Sequence, residues 1–335
     1  QNSLINTAGS GVDSIQVNSE GFVINNSEIF SGPLALRLNN ADFSFVDNIN
    51  TTTVSGQGIV LEWSDFVIIK NSNINSTSYS LRNYYSDNNL FENLDLYSES
   101  NCGLFLYAGD AENLTLKDSI IKHNSANSVC SQDNNIMARL LNTSFNHSKN
   151  FSFSNSDGAI FVDWYVQFNV TNITEEQLDL AEIQILNVTG DLIESVNTNS
   201  SGLTEMLTIR EFNQTSSNKT MMTPHDVTID LAGFEQENFM LNLSETESTL
   251  QNITLIPTGY YQEVSECGVL DTEDMYYKLV ADLESNETCI TIAAEGITLD
   301  CQEHSINYSI NESFGYGINN SGYTEVNINN CTVKT

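Results

Sequence analysis

The chain is expected to be all-β, with right-handed parallel β-helix segments flanking a small antiparallel β-sandwich. Three observations lead there. A short phrase returns every 22 to 25 residues over residues 22–145 and reappears near residue 326. Residues 161–258 carry strand-like alternation without that phrase. Gly, Ser, Asn and Asp, which form turns, punctuate both kinds of segment.

The phrase is an alternating apolar run, then Asn or Asp, then a second short apolar run. It occupies Phe22–Ile29, Phe43–Asn50, Phe66–Ile74, Leu90–Leu96, Leu114–Ile121 and Ala138–Phe145, and again Val326–Val333. The marker falls at Asn26, Asn48, Asn71, Asn93, Asp118 and Asn142, in steps of 22, 23, 22, 25 and 24 residues. A fixed period of this size signals stacked repeats. Alternation has a period of two, so one face of each strand points inward. A unit this short has no room for a crossover helix and lacks the L-x-x-L-x-L frame of leucine-rich repeats, so it reads as one coil of a β-helix. Stacked Asn side chains about 4.8 Å apart can hydrogen-bond as a ladder, and Asn tolerates the left-handed backbone of a tight corner. The competing reading is that Asn is simply common in turns. No coil buries enough apolar surface to stand alone, so stability is a nearest-neighbour sum.

Three domains follow: residues 1–160 as a parallel β-helix, 161–258 as an immunoglobulin-like β-sandwich, and 259–335 as the start of a second β-helix. In the middle segment Trp164, Val166, Phe168 and Val170 alternate strictly. Further strands are expected at Glu182–Val188, Leu203–Phe212, Asp226–Leu231, Phe239–Leu243 and Thr249–Ile256.

The net charge is −33 with only 11 Lys and Arg, which argues against nucleic acid as a partner. Such a surface is compatible with Ca²⁺, although its simplest role is self-repulsion and solubility. No EF-hand loop or RTX nonapeptide is present, so no cofactor is expected. No stretch approaches 18 uninterrupted apolar residues, so no membrane span is expected. With neither an initiator Met nor a signal peptide, the chain is expected to be processed or part of a longer one.

Twenty N-x-[ST] sequons point to an extracellular or cell-surface glycoprotein. The acceptors are Asn50, Asn75, Asn113, Asn146, Asn150, Asn169, Asn172, Asn187, Asn199, Asn213, Asn218, Asn242, Asn252, Asn286, Asn307, Asn311 and Asn319. Asn25, Asn142 and Asn330 also sit in sequons, of which Asn25 and Asn330 are expected to stay in the ladder, unmodified. Six cysteines form an even set. The repeat register pairs Cys102 with Cys130 and Cys301 with Cys331, about one coil apart, leaving Cys267 for Cys289. An oxidising compartment agrees with the sequons.

The middle segment, through its strand pattern, Trp164, Gly202 and Thr223–Ile229, resembles the immunoglobulin-like or carboxypeptidase-regulatory-like modules inserted in microbial surface proteins. The run Cys289–Ile306, followed by Tyr316–Ile318 and Val326–Cys331, resembles the opening coils of β-helix domains in archaeal surface proteins. It is also similar to the periplasmic copper-processing β-helix family. That family's copper role does not carry over, because His123, His147, His225 and His304 are scattered.

Many β-helices degrade polysaccharides, and Asp42, Asp65, Asp87 and Asp110, spaced by 22–23 residues, could form a catalytic or Ca²⁺-binding edge; because Asp suits turns, the series reads as a solvated turn ladder. Pectinase-type G-H-G and R-x-K signatures are missing, and Lys70, Arg82, Lys117 and Arg139 occur singly. No enzyme is expected. Trp63, Tyr84, Tyr85 and Tyr107 could stack on sugars. Both chain ends fall in β-helix pattern without a capping helix, and running Asn330 on into Asn26 of a following copy gives a gap of 31 residues. The expected function is therefore a glycosylated structural protein forming a filament or surface array from copies stacked head to tail. A glycan-binding adhesin is the alternative, and a polysaccharide lyase or hydrolase the third reading.

Overall fold

The computed structural model describes residues 3–7, 13–107, 113–124, 127–132, 136–146, 151–154, 158–246, 248–310 and 314–335. It is all-β apart from one helical turn at Leu243–Thr246, and it contains a parallel β-solenoid with further sheets flanking it.

Two sheets wind the first solenoid. One runs Ser3–Thr7, Val23–Ser31, Phe45–Thr53, Ile68–Ser76, Leu90–Ser98, Leu114–Lys117, Met137–Leu141 and Ala159–Asn172, parallel throughout. The other runs Ile15–Val17, Leu34–Asn39, Gln57–Glu62, Leu81–Tyr84, Leu104–Tyr107, Val129–Gln132 and Ser152–Ser154. In-register pairing stacks like on like. Val46, Ile69, Phe91, Leu116, Leu140 and Val162 form one inward column. Leu36, Ile59, Leu81, Leu104 and Val129 form the facing one. Burial of such columns is the main favourable term in the fold.

The long strands are bent. Each nine-residue strand has its marker at positive φ, with Asn26 at 46°, Asn48 at 50°, Asn71 at 52° and Asn93 at 54°. Pairing skips over the marker: Asn25 faces Asp47, and the next pair is Ser27 with Ile49. One strand therefore covers two faces of the coil. At Asp118 the bend is complete, and Leu114–Lys117 and Ile120–His123 separate, both pairing with Leu90–Ser98.

The strand Ala159–Asn172 belongs to both the solenoid and the sandwich. Its start pairs parallel with Met137–Leu141, and its other edge pairs antiparallel with Leu207–Thr215. Trp164, Val166, Phe168 and Val170 point inward against Ile183, Ile185, Val227 and Ile229 of a four-stranded antiparallel sheet. Solenoid and sandwich thus share one apolar core. The purely antiparallel expectation needs one correction: Thr249–Leu255 joins Val166–Asn172 in parallel. The chain has by then crossed the sandwich, so it meets that edge running in the same direction. Two short strands escaped the sequence reading, Leu192–Asn197 and Lys219–Met221.

From Tyr261 a second solenoid begins, three-faced from the start, each face a short parallel sheet. Its core, built on Leu270, Ile290, Ile292, Leu299 and Ile306, is separate from the first. Disulfides Cys102–Cys130, Cys267–Cys289 and Cys301–Cys331 link positions 28, 22 and 30 residues apart, about one coil in each case.

Candidate functional site

Three surface features could carry chemistry: the marker corner, an aromatic corner, and a groove between the sandwich and the second solenoid.

At the marker corner the side chains bond in pairs. Asn48 Nδ2 donates to Asn26 Oδ1 at 2.7 Å, Asn93 to Asn71 at 2.8 Å and Asn142 to Asp118 at 2.6 Å. Between the first two pairs the run shifts sideways, since Asn71 donates to Asp47 at 2.8 Å. The residue after the marker faces inward, and here sequence reasoning missed a device. Ser72 Oγ accepts the amide of Ile49 at 3.1 Å, and Ser119 Oγ that of Leu94 at 3.0 Å. The bend takes these amides off the sheet ladder, and a buried hydroxyl from the next coil replaces the lost carbonyl. The alternation of Ser with Ile or Leu after the marker was the available signal. This corner is structural, since its polar atoms are engaged with one another.

The aromatic corner lies between the two sheets of the first solenoid. Two columns of left-handed positions stack there. One holds Asn40, Trp63 and Tyr85, and the other Gly21, Phe43, Phe66 and Asn88, all at positive φ. Trp63 stacks on Tyr85 with centroids 4.1 Å apart, and Phe43 on Phe66 at 5.2 Å. Left-handed backbone disfavours bulky residues by roughly 1–2 kcal/mol, and sister coils use Asn or Gly at the same positions. The aromatics are nevertheless 62%, 52% and 49% exposed at Phe43, Trp63 and Phe66. Tyr84 and Tyr107 stack beside them, with the Arg82 guanidinium 5.3–5.7 Å from Tyr84, Phe105 and Tyr107.

The Asp series runs alongside. Asp42 Oδ1 accepts the amide of Asp65 at 2.8 Å, and Asp65 Oδ1 accepts that of Asp87 at 2.7 Å. Each carboxylate thus caps the turn of the following coil; Asp110 lies outside the described residues. Lys117 pairs with Glu92 and Arg139 with Asp163, while Lys70 lies over Phe45. Arg37 bridges Asp13 and Glu62 on the coils either side. Among the described residues no three His, Cys, Asp or Glu side chains cluster as a metal site. His147 lies outside the described residues. No described helix is long and apolar enough to cross a membrane.

The groove, of about 1010 Å³, lies between strands Glu237–Leu241 and Thr249–Leu255 of the sandwich and the first sheet of the second solenoid. Asp300, on the solenoid wall, is buried. Burial opposes its ionisation, yet the Gln302 amide, the Tyr276 hydroxyl and the Asn330 amide hold its carboxyl below the usual range. Glu237, on the opposite wall, is pushed upward by burial.

Of the expected glycan acceptors, Asn50, Asn75, Asn113, Asn146, Asn199, Asn218, Asn252 and Asn286 are exposed. Asn169, Asn172, Asn187, Asn213, Asn242, Asn307 and Asn319 are half-buried, and Asn150 and Asn311 lie outside the described residues. Asn25 and Asn330 are exposed and Asn142 is half-buried.

No family model matches the chain, and no curated protein matches it. Among solved structures it is similar to the shaft pilin SpaA of Lactobacillus rhamnosus GG, at 10% identity and TM-score 0.23, over 32% of this chain and 53% of that one. A second is the TIE protein of Bacillus anthracis, at 15% identity and TM-score 0.21, over 32% of this chain and 18% of that one. The chain therefore spans about half of the pilin, and likenesses this slight carry no argument about its fold or its role.

Proposed function

We propose that this chain is a glycosylated extracellular structural protein whose solenoids stack head to tail into a filament or surface array. The observation that carries the reading is the covalent fastening of neighbouring coils by all six cysteines. Disulfides persist in oxidising compartments, and a coil-to-coil staple stiffens a rod along its axis. The sequons and the −33 charge agree with a hydrated outer surface. Head-to-tail stacking is geometrically open at strands that, among the described residues, pair on one side only, Ser3–Thr7 and Ile318–Asn320, Asn327–Asn329 and Thr332–Lys334, where a further coil of a longer chain would fit equally well. Leu4, Ile328 and Val333 stand exposed on these strands. Free edges with apolar side chains accept further strands. Copies of this chain are the partner we assign, with no cofactor and no catalytic role.

Negative-stain microscopy and light scattering across a concentration series test this. Fibres with a regular axial repeat, growing with concentration, are the expected result. A monodisperse monomer at every concentration and salt would defeat the stacking.

A second reading, a glycan-binding adhesin, is favoured by the exposed Trp63/Tyr85 and Phe43/Phe66 stacks, where aromatic residues occupy positions that Asn or Gly would fill with less strain. Glycan-array binding abolished by Trp63→Asn plus Phe66→Asn, with unchanged melting, would establish it.

A further inference from the structure

The groove beside Glu237 separates two units with separate apolar cores. Amide side chains recur on its walls beside the charged Glu237, Lys278, Asp300 and Glu303. Gln236 and Asn329 offer a donor and an acceptor each, Asn238 keeps its Nδ2 donor while its Oδ1 accepts from Thr228, and Gln302 keeps its Oε1 acceptor while its Nε2 donates to Asp300, a mixture that suits a hydroxyl-rich occupant. Its acids are poorly placed for a cation. Asp300 already accepts from Tyr276, Gln302 and Asn330, and Lys278 lines the same groove as Glu237 and Glu303. The volume lies at the upper end of ligand sites, roughly 300–1,000 Å³, so it admits several sugar rings.

Two sequons border this groove. Asn330 is held at φ 52° with Nδ2 donating to Asp300 Oδ1 at 3.1 Å, and its neighbour Cys331 is tied to Cys301. Asn252 is different. It is exposed, and its Oδ1 accepts from Asn169 Nδ2 at 3.0 Å. That bond turns the amide so that Nδ2, the atom that carries a glycan, lies away from Asn169.

We infer that an N-linked glycan on Asn252 lies in this groove and fastens the sandwich to the second solenoid. The inference rests on the glycoprotein reading above. In the transfer, a lipid-linked oligosaccharyl diphosphate supplies the sugar. Its C1–O bond to diphosphate breaks, a C1–Nδ2 bond forms, and Nδ2 loses one proton and keeps one N–H. The sugar hydroxyls then bond the amides of both walls. Asn169 and Asn252 are direct partners on adjacent strands, and of the two Asn252 is the more exposed and borders the groove, so it is the acceptor assigned here.

The test uses the full chain secreted from a host that N-glycosylates, with site-by-site glycopeptide mass spectrometry. Asn252 is expected to be occupied, and its glycan to be released by an amidase from the native protein about tenfold more slowly than that of Asn286, with the rates equal after denaturation. Thr254→Val removes the sequon while keeping Asn252 and a β-former; Asn252→Gln is the second variant. Both should raise protease cleavage of the connection at residues 256–260 about fivefold, while Asn286→Gln leaves it unchanged. Glycans at other sequons but none at Asn252 would overturn the inference and leave the glycoprotein reading standing. Equal native release at Asn252 and Asn286 would overturn it as well. No glycan at any sequon would remove both.

Discussion

Replacing Asn71 by alanine and, separately, by glycine separates two demands that the corner makes on one side chain. Asn71 sits at φ 52°, donates to Asp47 and accepts from Asn93, both at 2.8 Å. Either substitution removes both hydrogen bonds, each contributing about 0.5 kcal/mol at an exposed site. Alanine adds left-handed strain of roughly 1–2 kcal/mol. Glycine adds no strain but roughly 0.5–1 kcal/mol of backbone entropy. Asn71→Ala therefore loses about 2–3 kcal/mol and Asn71→Gly about 1.5–2 kcal/mol. The decisive quantity is the sign of the difference, since at an ordinary strand position glycine is the worse of the two. Asn73, exposed two residues along the same strand and outside the positive-φ set, supplies that control. Calorimetric melting reads it: each kcal/mol moves Tm by about 2–4 °C in a unit of this size. Asn71→Gly should melt above Asn71→Ala, and the order should invert at Asn73. The same order at both positions would refute the claim that the marker is chosen for the bend.

Three further outcomes follow from the described contacts. Thr51 is buried in a column with Ile29, Ile74 and Leu96, and its Oγ1 has no hydrogen-bond partner there; Thr51→Val should raise stability by about 1–2 kcal/mol, read as Tm. Replacing both Cys102 and Cys130 by Ser frees a 28-residue loop, and the Tm should fall by an amount equivalent to about 3–4 kcal/mol. Burial holds the His225 imidazole below its usual pKa, against its hydrogen bond to the Arg210 carbonyl. The unfolded state then binds the extra proton first, so stability is lost as pH falls through the unfolded value of about 6.5. Arg139, Arg210, Asp163 and Glu194 line the same cavity, so the Tm loss between pH 7.5 and 5.5 should be compared with that of His225→Gln, which should lose less.

What could be read from the chain, and what could not, divides along a physical line. Parallel stacking was legible because each coil repeats the same inward pattern, and in-register pairing puts Val46, Ile69 and Phe91 on one another. The second solenoid was legible for the same reason over Ile290–Ile292 and Thr298–Asp300. The strand Ala159–Asn172 was visible as alternation, but not its double membership, because a strand's two edges leave no mark on its side chains. Thr249–Leu255 carries the same alternation whether it pairs parallel or antiparallel, so its direction depended on the path of the chain before it. Short Leu192–Asn197 is largely exposed and lacks the inward set that announces a strand.

The inside of the coil was the hardest part to foresee. Ser72, Asn83, Asn89 and Ser119 look like turn residues, yet all are buried. Asn83 donates to the Ser86 carbonyl at 2.7 Å and accepts from Asn89 at 3.0 Å, while Asn89 Oδ1 accepts the Val67 amide at 2.7 Å. Each of these side chains replaces a backbone partner lost where the coil turns a corner. A buried amide without such a partner loses about 1–3 kcal/mol, enough to decide between a polar and an apolar residue at that position. The polar interior is therefore a consequence of bending strands tightly: the sharper the corner, the more amides leave the sheet, and the more hydroxyl and amide groups the core must take in to keep them bonded.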